Sequence, residues 1–157
     1  MAFDVAKAYN EKKKKKDEKE SNSSSTPFDV AERYKKYKYY ETLDTSSVND
    51  DYINTFITDT NNFFSGAEDT YKSIGWGNAS SVYDSTNSTW QELQKRKDLV
   101  GAWLYKNKSR LTEDSYKALN DTLNSIDSGA TSLLEGLGSA KDFYSQFDSE
   151  DAYNSYI

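Results

Sequence analysis

From Tyr52 the apolar residues advance in steps of three and four: Tyr52/Ile53, Phe56/Ile57, Phe63/Phe64, Ala67, Tyr71 and Ile74, with Thr60 holding the phase. That stride marks an amphipathic helix. Val48 and Asn49 precede the run, and Asp50 and Asp51 suit the positive end of a helix. Ile74-Gly75-Trp76-Gly77 reads as its stop, with Gly75 as the left-handed cap. Such a helix is about 39 Å long.

A second run starts near Asn78 and carries Val82/Tyr83, Thr86, Trp90, Leu93, Lys97, Val100 and Trp103/Leu104. Its first turns are rich in Ser, Asp and Asn, which are mediocre helix formers, but the unbroken stride favours the long version. Lys106, Lys108 and Arg110 suit its negative end. A third run opens with Leu111-Thr112, an apolar residue and a cap, followed by Glu113 and Asp114. It keeps phase from Tyr116 to Phe147 for about nine turns. Gly129, Gly136 and Gly138 lie inside it and invite a break, yet the continuous phase predicts one helix.

Links of about four to six residues make consecutive helices antiparallel neighbours. The predicted fold class is therefore all-α: an elongated antiparallel three-helix bundle over 47–147. A flexible basic N-terminal arm over 1–46 precedes it, and 148–157 begins a further helix with its own cap. Trp90, Trp103, Phe56, Phe63 and Phe64 are expected to be the largest core contributors. Thr60, Thr86 and Lys97 at core phase make thin layers, so the bundle should be marginal or hide a face against another subunit. The short last helix suggests the front part of a longer protein, or an end that docks on a neighbour.

Composition changes this picture in two ways. Of 157 residues, 15% are aromatic and 13 are Tyr, so rings carry much of the core, while Cys and His are absent. Those zeros exclude disulfides, thiolate chemistry, ordinary zinc sites and imidazole-dependent triads. No phosphate-cradling glycine loop or Ser-x-x-Lys motif occurs. Glu68/Asp69 and Asp50/Asp51 read as solvated or dipole-paired carboxylates, not acid–base pairs. Asp148, Glu150 and Asp151 lack the twelve-position calcium loop. No catalytic, cofactor or metal residue is expected, and the chain reads as non-enzymatic.

Charge is unevenly placed. The net charge is -6, but residues 1–40 hold 11 basic and 7 acidic side chains, against 9 and 19 in the remainder. Asp17, Glu18 and Glu20 follow the Lys12–Lys16 run and neutralise it locally, so nucleic-acid binding by the arm is not expected. Tyr39 and Tyr40 beside Lys35, Lys36 and Lys38 could stack on bases, but packing on the bundle is the better expectation. No export signal or membrane span is expected. Five Asn-x-Ser/Thr triplets reflect composition.

The arm contains a repeat. Phe3-Asp4-Val5-Ala6-Lys7-Ala8-Tyr9 recurs as Phe28-Asp29-Val30-Ala31-Glu32-Arg33-Tyr34, five of seven positions matching, each copy leading into lysine-rich sequence. Thr26 and Pro27 offer the second copy a cap and a first helical residue. One reading is two short, marginal helices. The other is two copies of a docking motif, with Phe3, Val5, Tyr9, Phe28, Val30 and Tyr34 as the partner-docking residues.

This repeat, and the segment Asp142–Asn154 with its Phe-x-Ser-Glu-x-x-Tyr boundary, resemble the N-terminal portions of tail tape-measure-type and minor structural proteins of phages infecting Gram-positive bacteria. The resemblance covers about a quarter of the chain. It implies helices packed along an axis in a virion, assembled in the host cytoplasm. Other virion structural proteins would be its partners, self-association would be open to it, and no cofactor is implied. The chain is shorter than such proteins, as a fragment or small relative would be. A second resemblance is to helical hairpins exported by type VII-like secretion, through Trp76-Gly77 at a helix–helix turn and the Tyr144–Asp148 tail pattern. The turn reads Gly75-Trp76-Gly77-Asn78, however, and the third helix and lysine-rich arm do not belong to that family.

Overall fold

The computed structural model describes residues 27–157. Every regular element among them is helical: α1 (Pro27–Thr42), α2 (Asp50–Ser73), α3 (Ala79–Lys106), a 3-10 turn (Lys108–Arg110), α4 (Glu113–Ser145) and α5 (Glu150–Tyr156). No helix among these is long and apolar enough to cross a membrane.

The caps act where the sequence puts them. Asn49 accepts from the Tyr52 amide at 2.8 Å, Thr112 from Ser115 at 3.1 Å and Ser149 from Ala152 at 3.1 Å. Each satisfies an amide that the helix itself leaves unpaired. α3 takes the long form and starts at Ala79. α4 runs without a break through Gly129, Gly136 and Gly138, about 50 Å for its 33 residues. Gly129 is itself buried, so packing offsets its low propensity.

The α2–α3 turn departs from expectation. Gly77, not Gly75, adopts positive φ (94°). Asn78 explains the shift: its Oδ1 accepts from the Gly75 amide at 2.7 Å and its Nδ2 donates to the Ser73 carbonyl at 3.0 Å. The side chain closes the end of α2, leaving the left-handed step to the next glycine.

α3 packs extensively on α4, and α2 touches both. One core cluster centres on Phe56, Trp90, Val100, Leu104 and Ile126, and a second on Ala67, Leu133 and Leu137. Phe56, Leu133, Leu137, Val100 and Thr60 are the largest fully buried side chains. Phe63, Phe64 and Trp103 pack against the core but keep part of their surface exposed, unlike the expectation. Two rings, Phe56 and Trp90, are buried in the core, and the remaining interior is filled by aliphatic side chains with the small residues Ala102 and Ala130 among them.

Two of the three thin layers, at Thr60 and Lys97, are satisfied. Thr60 Oγ1 donates to the Phe56 carbonyl at 2.8 Å. Lys97 Nζ meets Asp127 Oδ1 at 2.8 Å, its side chain only 15% exposed. A core-phase lysine is thus tolerated because its stem packs and its head is paired.

The largest difference lies before α2. Composition places 27–46 within a flexible arm, yet 27–42 form a helix seated on α3. Pro27 is its first helical residue, where the missing N–H costs nothing. Thr26 lies outside the described residues.

Candidate functional site: a tyrosine clamp and the cleft beneath it

α1 is held by tyrosines at positions that reach one face of α3. Tyr37 stacks on Tyr105, ring centroids 4.8 Å apart and planes 8° from parallel. The Tyr39 hydroxyl donates to Asp98 Oδ2 at 3.1 Å. The Tyr40 hydroxyl lies against Gly101, where an added Cβ would come within 2.6 Å of it. The Tyr105 hydroxyl donates in return to Glu41 Oε1 at 3.4 Å, and Lys106 Nζ donates to the Leu43 carbonyl. Asp98, Gly101 and Tyr105 are spaced by three and four, so one stripe of α3 supplies the seat. The packing expected of Tyr39 and Tyr40 is what these contacts show.

Burial sets the electrostatics. Desolvation raises the Tyr40 hydroxyl above its ordinary pKa, and the charges of Asp98 and Asp127 raise it further. Burial also raises Asp98, against the pull of Lys97 and of the Tyr39 hydrogen bond. Tyr39 is raised by desolvation and then by Asp98. The two tyrosine shifts keep those clamp hydroxyls protonated, and neither prepares a nucleophile. A hydroxyl whose folded pKa is raised contributes stability below its unfolded pKa that is lost as pH climbs through the folded one. The clamp should therefore loosen in alkali. Tyrosinate absorbance should show a late-ionising ring in the parent that Tyr40→Phe removes; identical titration curves would contradict the assignment.

Between α1, α3 and α4 lies a cleft of about 300 Å³. Arg33 and Lys36 line it from α1, Lys97 from α3, and Asn120, Asn124 and Asp127 from α4. The two asparagines are four apart and offer amides from one side. Three cations and one carboxylate line it, with Asp127 paired to Lys97, so the cleft suits polar hydrogen bonding and its lining is net positive.

The expected docking residues fare differently. Val30 and Tyr34 sit on α1 with 55% and 62% of their surfaces exposed, and Lys38 Nζ lies 5.6 Å from the Tyr34 ring. Neither belongs to the clamp. Phe28 falls in the first turn of α1, its side chain outside the description, and Phe3, Val5 and Tyr9 lie outside the described residues. The motif reading missed Tyr37, Asp98, Gly101 and Tyr105. The readable signal was the Tyr37/Tyr40 spacing and a glycine inside an otherwise regular helix.

At the other end of the helices, Trp76 Nε1 donates to the Phe147 carbonyl at 3.0 Å. Phe143, Tyr144, Phe147, Tyr153 and Tyr156 pack edge-to-face or tilted around it, which folds α5 back on the end of α4. No family model, curated protein or solved structure matches the chain.

Proposed function

We propose that the chain is a non-enzymatic structural or assembly protein of a bacteriophage particle, in the tail or associated with it, acting through helical packing and docking motifs. In this reading α2, α3 and α4 form an elongated antiparallel three-helix rod. The clamp fixes α1 on its side, and other virion proteins are the partners, met during assembly in the host cytoplasm. The observation that carries it is the division of α1. Tyr37, Tyr39 and Tyr40 hold the helix to α3, while Val30 and Tyr34 of the repeated motif stay exposed. Large apolar side chains held in water on an anchored helix are suited to a groove on a partner.

The test is direct. The full chain and a Val30→Ala/Tyr34→Ala variant are titrated against purified structural proteins encoded beside its gene. Loss of a tyrosine anchor should weaken binding by about 30-fold, the effect of a binding hot spot. Equal affinity removes the docking role, and flanking genes unrelated to tails remove the phage setting.

One observation favours a second reading, a helical substrate of a type VII-like secretion system. The Trp76-Gly77 turn and the Tyr144–Asp148 segment meet through the Trp76 hydrogen bond to Phe147. Export that depends on Trp76 and Tyr144 would select this reading over the first.

A further inference from the structure

α1 meets the rest of the protein mainly through one stripe of α3. From Val30 onward none of its residues is buried, and only Tyr40 is half-buried. Its hold consists of a ring stack of Tyr37 on Tyr105, a tilted contact of Tyr40 with the same ring, polar tyrosine tips and a glycine notch. Such a helix can leave its seat and return as a unit. We infer that the seat also accepts α1 from a second copy of this chain, so that two copies exchange their first helices. This goes beyond the phage reading and does not depend on it.

The chemistry of the seat selects the occupant. Asp98 accepts a hydroxyl, Gly101 leaves space for a tyrosine tip, and Tyr105 offers a ring face. The chain holds one other segment of related sequence, the first motif copy. At the repeat offset, however, Tyr37, Tyr39 and Tyr40 correspond to Lys12, Lys14 and Lys15. Lysines supply neither ring nor hydroxyl, so that copy does not fit. α1 itself does, and exchange between copies keeps every clamp contact while changing only which chain supplies it.

The hinge is short. Val48 is buried and anchors the start of α2, which leaves Leu43–Ser47 to open. Extended, five residues span about 17 Å. Its local restraints are Leu43 N to Tyr40 O at 3.2 Å, Ser46 N to Asp44 Oδ1 at 3.0 Å, Val48 N to Thr45 O at 3.0 Å, and the Lys106 contact to Leu43.

The absence of cysteine makes the test clean. Glu41→Cys and Lys106→Cys place thiols on the two sides of the α1–α3 junction, and a short bismaleimide joins them. The doubly substituted chain should link to itself; if it does not, the seat is wrong and the inference falls with it. Singly substituted chains, one carrying a tag, are then mixed. Exchange gives a heteromeric product that grows at least about fivefold between roughly 10 µM and 500 µM, by mass action. Adding Gly101→Ala to the Lys106→Cys chain should cut that product at least about fivefold, since the notch is filled. A heteromeric product that fails to grow with concentration, or one indifferent to Gly101→Ala, overturns the exchange.

Discussion

Replacing Phe56 by alanine should cost about 3–5 kcal/mol of unfolding free energy, the range for emptying a buried ring site. Phe56 has no exposed surface and belongs to the larger core cluster. The Arg96 guanidinium lies 5.6 Å from its ring and pairs with Asp59 at 2.8 Å, so the same ring supports a cation set between α2 and α3. The site cannot collapse freely, because fully buried Thr60 follows one turn on with its hydroxyl committed to the Phe56 carbonyl. Small domains have about 5–15 kcal/mol in all, so a loss of this size leaves a protein close to its unfolding threshold. Urea unfolding followed by circular dichroism measures it. A loss below about 1 kcal/mol would mean that Phe56 is not the centre of the core.

Gly101→Ala should separate two effects that usually travel together. Alanine in place of a helical glycine favours α3 by up to about 1 kcal/mol. The new methyl, however, would sit 2.6 Å from the Tyr40 hydroxyl oxygen and 2.9 Å from its Cζ. A phenol ring is stiff, so it must swing away whole, and Tyr40 leaves its notch. The expected result is a melting temperature that holds or rises while α1 comes off. Hydrogen exchange reads this directly: amides of Tyr34–Tyr40 should exchange at least about tenfold faster, because a detached 16-residue helix is marginal in water. Amides in α2 and α4 should stay protected. Retained protection in α1 with lower global stability would show that the clamp does not depend on the glycine.

The parts of this architecture that could be read in advance are those with local causes. Asn49, Thr112 and Ser149 cap helices because their side chains reach amides three residues away. Phe56, Trp90 and Leu133 lie inside because the helical stride puts them on inner faces. The seating of α1 has no such local cause. Tyr39 and Asp98 are 59 positions apart, and α1 itself is dense in lysine and tyrosine with no plain apolar stripe. Lys97 looked like a weak point in the core until Asp127, 30 residues later, supplied its partner. Gly101 stood out only as a glycine inside a regular helix; its role, which is to be missing a side chain, becomes legible once Tyr40 occupies the space. The cleft between α1, α3 and α4 belongs to the same category, since three separate helices must meet before it exists.

The hydrogen bond from Trp76 to the Phe147 carbonyl has a mechanical consequence. Tension applied at α5 would, without it, peel α4 from its last turn inward, breaking backbone bonds one after another. The indole ties that last turn to the hairpin between α2 and α3. Detaching this end then requires the indole hydrogen bond to break as well as the backbone bonds of the last turn, so the tip should come away less easily than a helix end held by its own backbone alone.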